Sequence, residues 1–211
     1  MYYNAYMRTS HMQRTFAISL MLDSQSSAAV RSTQRKLADA AGAKCSACTE
    51  PHITLGMFHT EKERMDEVRC LFSKFTEEVR SAFRIDFAGA GSFNEKAIFL
   101  SIDNGNESHS EIARLNAVAH DIFLPLFEAG ANRNYLPRNF FPHVALATRL
   151  SRSGFRKCDE LLTSIDLPSS ARVAAVSLFL CRPYSEVSRF NLMPCIPCVE
   201  SGTLSFPLAQ A

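Results

Sequence analysis

The pentapeptide Pro51-His52-Ile53-Thr54-Leu55 returns nearly intact as Pro142-His143-Val144-Ala145-Leu146. Histidine is scarce in this chain, six in 211 residues, and two of the six occupy these matching apolar frames. A frame that recurs within a recurring order of elements points to two copies of one structural unit. Each copy then places an imidazole at an equivalent point. Two imidazoles facing one cleft can divide acid and base work near neutral pH.

The elements around the frames follow the same order in each half. Residues 15–22 read as a strand, and Asp23 and Ser24 offer an N-cap for a helix over 25–41, striped by Val30, Leu37 and Ala41 and stopped by Gly42. Residues 52–58 are β-prone. Thr60 with Glu63 forms a capping-box pattern, which predicts a helix over 61–82 lined by Met65, Val68, Leu71, Phe72, Phe75 and Val79. Ile85-Asp86-Phe87 alternates, Gly89-Ala90-Gly91 reads as a turn, and 97–102 as a buried strand. In the second half a helix over 107–129 carries Pro125 as a kink or stop, and an irregular stretch 130–142 leads to a strand over 143–148. A helix over 152–164 and a hairpin of 173–180 with 186–193 close the pattern. Strands interleaved with helices in two similar halves, without a low-complexity linker, predict an α+β fold packed as one unit around a cleft.

Bulk properties narrow the partners. The chain is 46% hydrophobic and 21% charged with a formal net charge of +2, which makes no case for double-stranded DNA binding through a clustered basic surface and leaves a local basic cleft open. No apolar run approaches the ~20 residues a membrane helix needs. Residues 1–14 carry Arg8 and Arg14 without an acid, and 16–22 is apolar, yet Asp23 follows at once and no small-residue cleavage site appears. A tail leading into a first strand is the expectation, with mitochondrial targeting as the second reading. Seven cysteines without a signal peptide read as reduced thiols of a cytoplasmic protein, nuclear or mitochondrial placement remaining open. Cys45/Cys48 and Cys195/Cys198 form CxxC pairs that together could supply a structural zinc. Their distance in sequence and missing turn glycines argue against it, so no metal and no cofactor are expected.

On a strand, side chains alternate, so His52 and Thr54 share one face while Ile53 and Leu55 face the core; His143 and Ala145 stand likewise against Val144 and Leu146. A threonine hydroxyl beside an imidazole is a natural donor to a phosphate oxygen. One neutral and one protonated histidine suit cleavage of a phosphodiester without a metal.

With the ordered pair of H-x-[ST]-Φ frames in view, the chain resembles the 2H phosphoesterase superfamily, in particular its 2′-5′ RNA ligase-like and RNA 2′,3′-cyclic phosphodiesterase branches. The likeness runs from the first strand through both motifs, and takes in Gly89-Ala90-Gly91-Ser92-Phe93 and the terminal hairpin with Tyr184. It implies a bilobal, pseudo-twofold fold with two antiparallel-sheet lobes flanked by helices, in one domain over 15–200 between an N-terminal tail and a C-terminal tail over 201–211. It further implies that His52 protonates the leaving ribose oxygen and His143 activates water on a cyclic phosphate. The partner implied is an RNA 3′ end or a small cyclic nucleotide or oligonucleotide, bound by a monomer. The residues themselves leave open which histidine is the acid.

One position departs from the family pattern. Ala145 stands where the second motif carries Ser or Thr. A missing hydrogen bond to a charged phosphate costs about 1.5–3 kcal/mol, roughly ten- to a hundredfold in rate or affinity. Backbone amides, a water, Tyr184 or Arg149 are the candidate substitutes. The same departure supports a second reading, a nucleotide- or RNA-binding module with weak or no catalysis. Arg149, Arg152, Arg156 and Lys157 read as a solvated face rather than an RNA entrance. Tyr135, Phe58 and Phe141 could stack a base, though aromatics beside buried strands are usually core. His59 follows the first motif too closely to share its strand face with His52, and reads as a rim or structural residue.

Overall fold

The computed structural model describes residues 13–41, 49–79 and 81–194. Both CxxC pairs, Gly42 and the C-terminal tail lie outside the described residues. Among the described residues the order is β1 (Gln13–Leu22), α1 (Ser24–Ala41), β2 (His52–Glu61), α2 (Met65–Glu77), β3 (Phe83–Phe93), β4 (Ala97–Ile102), α3 (Glu107–Phe123), β5 (Glu128–Ala129), β6 (His143–Thr148), α4 (Arg152–Leu162), β7 (Ser170–Cys181) and β8 (Tyr184–Asn191). The strands run β5-β2-β1-β7-β3-β4-β6, with β8 on the edge of β7 that β3 also uses, and every described pairing is antiparallel.

β1 illustrates why the sheet has two unlike faces. Phe16, Ile18, Leu20 and Leu22 enter the main core, whereas Ala17, Ser19 and Met21 point to the opposite face. Phe16 stacks on Phe58 and meets Phe123 and Phe127, knitting β1 and β2 to α3. The helices cross over between halves: α1 packs on β6 and α4, while α3 packs on β2 and α2. The first-half helix therefore covers the second histidine strand and the reverse, so neither half can bury its core alone. Asp23 caps α1, its Oδ1 accepting from the Ser26 N–H, and Ser151 Oγ caps α4 from the Gly154 N–H.

Four local expectations give way to the structure. Thr60 and Glu63 form no capping box, because β2 stays in register with β1 as far as Gln13 and Glu61; a 3₁₀ turn then precedes α2 at Met65. Gly89-Ala90-Gly91 lies inside β3, where residues 83–86 pair with β7 and the rest with β4. Gly89, at φ +124°, marks the bulge that lets the strand change partners, and the turn falls instead at Asn94–Glu95, both with positive φ. α3 ends at Phe123, since Pro125 has no N–H to continue it. Gln13 and Arg14 already belong to β1 rather than to a tail. Among the described residues, no helix is long and apolar enough to cross a membrane.

Candidate active site

β2 and β6 open on the two histidines, and the repeat in sequence is a repeat in backbone. In β2, Ser19 pairs with Thr54 and Ile18 with Gly56, which leaves Leu55 as the extra residue of a bulge. In β6, Phe99 pairs with Ala145 and Ile98 with Ala147, which leaves Leu146 in the same role. A bulge frees carbonyls from the ladder, and a buried amide from the covering helix meets each one. Asn116 of α3 donates from Nδ2 to the carbonyls of Leu55 and Tyr135, and Gln34 of α1 donates from Nε2 to the carbonyl of Ala145. Nothing in the local sequence singled out Asn116 or Gln34.

The imidazoles are held in the same way. His52 Nδ1 lies 2.6 Å from the Glu50 carbonyl and His143 Nδ1 2.8 Å from the Phe141 carbonyl. A carbonyl only accepts, so each Nδ1 carries the hydrogen and each Nε2 is left for other work. Burial lowers the pKa of both rings below the ordinary histidine value, and the charge of His52 lowers that of His143 a little further; the strands that carry them, β2 and β6, pack against each other.

Cross-strand rows define the surface on which the rings stand. Beside His52 run Met21 and Ala175; beside Thr54 run Ser19, Ser177 and Arg189. In the other half, Ser101 and Gly89 flank His143, and Phe99 and Gly91 flank Ala145. The hydroxyl row of the first half is thus matched by an alanine, a phenylalanine and a glycine. Phe99 packs on Phe93 at 4.2 Å between centroids and on His143 at 5.2 Å. A Cβ on Gly91 would come within 2.7 Å of the Phe99 ring, so the aromatic fills the space that hydroxyls occupy opposite. The row through Thr54 is therefore polar and the row through Ala145 apolar.

Residues 22–181 match the profile of the 2′-5′ RNA ligase superfamily. The chain belongs to that superfamily. Its fold is similar to that of LigT from E. coli in complex with 3′-AMP, with a TM-score of 0.57 at 16% identity over 85% of this chain and 98% of LigT. It is likewise similar to TT0787 of Thermus thermophilus, with a TM-score of 0.57 at 18% identity over 87% of this chain and the whole of the other. No curated protein matches it in sequence. The matched fold is that of the 2H phosphoesterases, and membership supports a phosphoester-processing enzyme with a phosphodiesterase-like role.

Within this superfamily member, the other candidates fall into place unevenly. Tyr184 stacks on Phe179 at 5.1 Å, and Phe179 in turn adjoins His52 at 6.2 Å, so Tyr184 stands on the first-histidine side. Burial, with Glu50 and other negative groups nearby, pushes its phenol up to about 12 and keeps it a neutral donor. Arg149 sits just past the far end of β6, about 20 Å along the strand from His143; its backbone is not brought beside the rings. Tyr135 is the residue sequence reasoning undervalued. Burial pushes its half-buried phenol up, and Thr54 acts against that shift, so the phenol lies near the only motif hydroxyl. Phe58 is core, whereas Phe141 is exposed at the rim against Phe99. The bulge at Leu55 reverses the parity of β2, so His59 does share the cleft-side face, but far along the strand, where its Nδ1 meets Thr15 Oγ1 at 3.0 Å. Among the described residues, no group of three or more His, Cys, Asp or Glu could hold a metal ion.

Buried histidines also make stability depend on pH. His52, His143 and the core residue His120 all have pKa values lowered by burial in the folded state. The unfolded chain then binds more protons as pH falls through the ordinary histidine value near ~6.5. Stability is expected to be fully present above that value and lost progressively below it. Urea midpoints compared at pH 7.5 and 5.5 check this; a midpoint unchanged or higher at pH 5.5 contradicts it.

Proposed function

We propose that the chain is a metal-independent phosphodiesterase that hydrolyses a 2′,3′-cyclic phosphate or a related RNA or nucleotide phosphodiester. The observation that carries this is the matched pair of carbonyl-anchored imidazoles, each leaving Nε2 available in a shared environment. In the proposed reaction His143 Nε2 takes the proton of a water whose oxygen attacks phosphorus. The bond from phosphorus to the leaving ribose oxygen breaks, and His52 Nε2–H protonates that oxygen, giving a phosphomonoester. In this reading burial favours the neutral ring that His143 needs as base, and the negative charge of the bound phosphate keeps His52 protonated as acid against the same effect of burial. Thr54, with the Tyr135 phenol near it, donates to a non-bridging oxygen. The 3′-AMP, ATP and NADP+ complexes of LigT are consistent with a nucleotide in this cleft, and an RNA 3′ end or small oligonucleotide is the substrate class that fits.

The row Ala145–Phe99–Gly91 favours a second reading, a nucleotide-binding module with weak catalysis. Turnover of 2′,3′-cyclic nucleotides in EDTA separates the two. Product formation supports the enzyme, whereas AMP binding without turnover supports the module. Ala145→Thr restores the absent hydroxyl on the cleft-side face. It is expected to raise kcat/KM about ten- to a hundredfold, the worth of one charged hydrogen bond. No gain would mean that this position does not reach phosphate.

A further inference from the structure

The contacts that hold His52 extend beyond its own anchor. Pairing of β2 with β1 begins at His52, so Glu50, whose carbonyl fixes the ring, lies outside the ladder. Its carboxylate is held from β8, where Arg189 donates from Nη2 to Oε2 at 2.6 Å and from Nη1 to Oε1 at 3.4 Å. The same guanidinium donates from Nε to Glu186 Oε1 at 2.6 Å, and that oxygen also accepts from Ser177 Oγ at 2.7 Å. These side chains are only about one-third exposed, Arg189 and Glu50 at 32% each and Glu186 at 35%, and the arrangement is forked rather than a single long contact. Such geometry distinguishes it from an ordinary surface pair, which contributes little. Among the described residues His143 has no equivalent. Its anchor residue Phe141 is held by ring contacts with Phe93 and Phe99 rather than by an ion pair.

We propose that Arg189 is a positioning residue for His52, acting through Glu50 to hold the carbonyl that sets the tautomer and aim of the ring. The proposal rests on the reading of His52 as a reacting group, but its physical content does not require turnover. Arg189 has two effects on the ring. It ties down the Nδ1 acceptor, and it neutralises a carboxylate that would otherwise stabilise the imidazolium. The charged and titratable groups around His52 are Glu50 from the preceding segment, His143 from β6, Cys181 from β7, and Tyr184, Glu186 and Arg189 from β8, with Tyr135 beside Thr54.

The test is NMR titration of the His52 ring nitrogens in the full chain without substrate, the signals assigned by their loss in His52→Asn. Wild type should show the Nδ1–H tautomer. Arg189→Met should raise the His52 pKa, because the Glu50 charge is left unbalanced, and should mix the tautomers. Glu50→Gln should lower it, because the favourable carboxylate is gone while the arginine stays. Simple loosening of the loop would hydrate the ring and raise the pKa in both variants, so opposite signs are the mark of the clamp. Shifts of the same sign, or an Arg189→Met ring that keeps both its tautomer and its titration, would overturn the proposal. In kinetics, Arg189→Met should lower kcat roughly tenfold with KM little changed, since misplacement affects the reacting ring more than the phosphate contacts. A chain that fails to cleave cyclic nucleotides yet shows the opposite shifts loses the functional reading and keeps the clamp.

Discussion

Replacing either His52 or His143 by alanine is expected to lower turnover of a 2′,3′-cyclic nucleotide by about a thousandfold, the usual worth of a placed acid or base. The two losses should be similar, because each ring has the same tautomer and the same kind of anchor two residues upstream. They should also be far from additive. Once the acid is gone the leaving oxygen departs unprotonated, and the remaining base can recover little. The pH profile carries a sign as well. Burial sets both rings below the ordinary histidine value, so the basic limb, where the acid loses its proton, should fall at lower pH in the free enzyme than for an exposed histidine. Steady-state kinetics in EDTA on wild type, both single variants and the double variant check this. Retention of even a tenth of the wild-type rate in either single variant would remove that ring from the chemistry.

The second large effect concerns a residue that touches no substrate. Asn116 is 1% exposed and donates to the carbonyls of Leu55 and Tyr135. Asn116→Leu strands both acceptors in the interior, at about 1–3 kcal/mol each. Its own Oδ1 is buried without a partner, and leucine removes that cost, so the net loss should be about 1–3 kcal/mol. Gln34→Leu strands only the Ala145 carbonyl and likewise removes an unpartnered oxygen, so the two nearly cancel and the loss should be under about 1 kcal/mol. Urea unfolding with an unchanged m-value measures both. Equal losses, or a smaller loss for Asn116, would mean that these amides do not hold the bulges. Because Asn116 also fixes the Tyr135 backbone, its loss should shift the Tyr135 phenol away from Thr54 and raise KM.

Much of this was legible in the chain. The two pentapeptides, read with period-two alternation, put His52, Thr54, His143 and Ala145 on one kind of face and Ile53, Leu55, Val144 and Leu146 on the other, as the burial of those residues bears out. What misled was punctuation. Thr60 and Glu63 match a helix start, but cross-strand pairing to β1 holds that backbone in the sheet. Gly89-Ala90-Gly91 looks like a turn because glycine serves turns and bulges alike, and only the change of strand partner tells them apart. His59 shares the face of His52 only because of the bulge at Leu55, which no residue type announces. Tyr135 lay in an irregular stretch with no period to say where its ring would go.

The repeated Pro-His frame is a local pattern, and local patterns suffice for alternation, for strand identity and for the recognition of two equivalent half-sites. By itself the sequence therefore determined that this protein carries two histidine strands of one kind, and that the second lacks a hydroxyl at Ala145. Which side chains stand beside those strands depends on register and on crossed helix packing, and both are set by contacts between distant segments. Only the tertiary structure decided that Thr54 would share a row with Ser19 and Ser177 and lie near Tyr135, while Ala145 shared one with Phe99 and Gly91. It likewise brought Glu50 to Arg189 and gave each imidazole its anchor. The two half-sites are alike in backbone because their strands repeat, and unlike in chemistry because their neighbours do not.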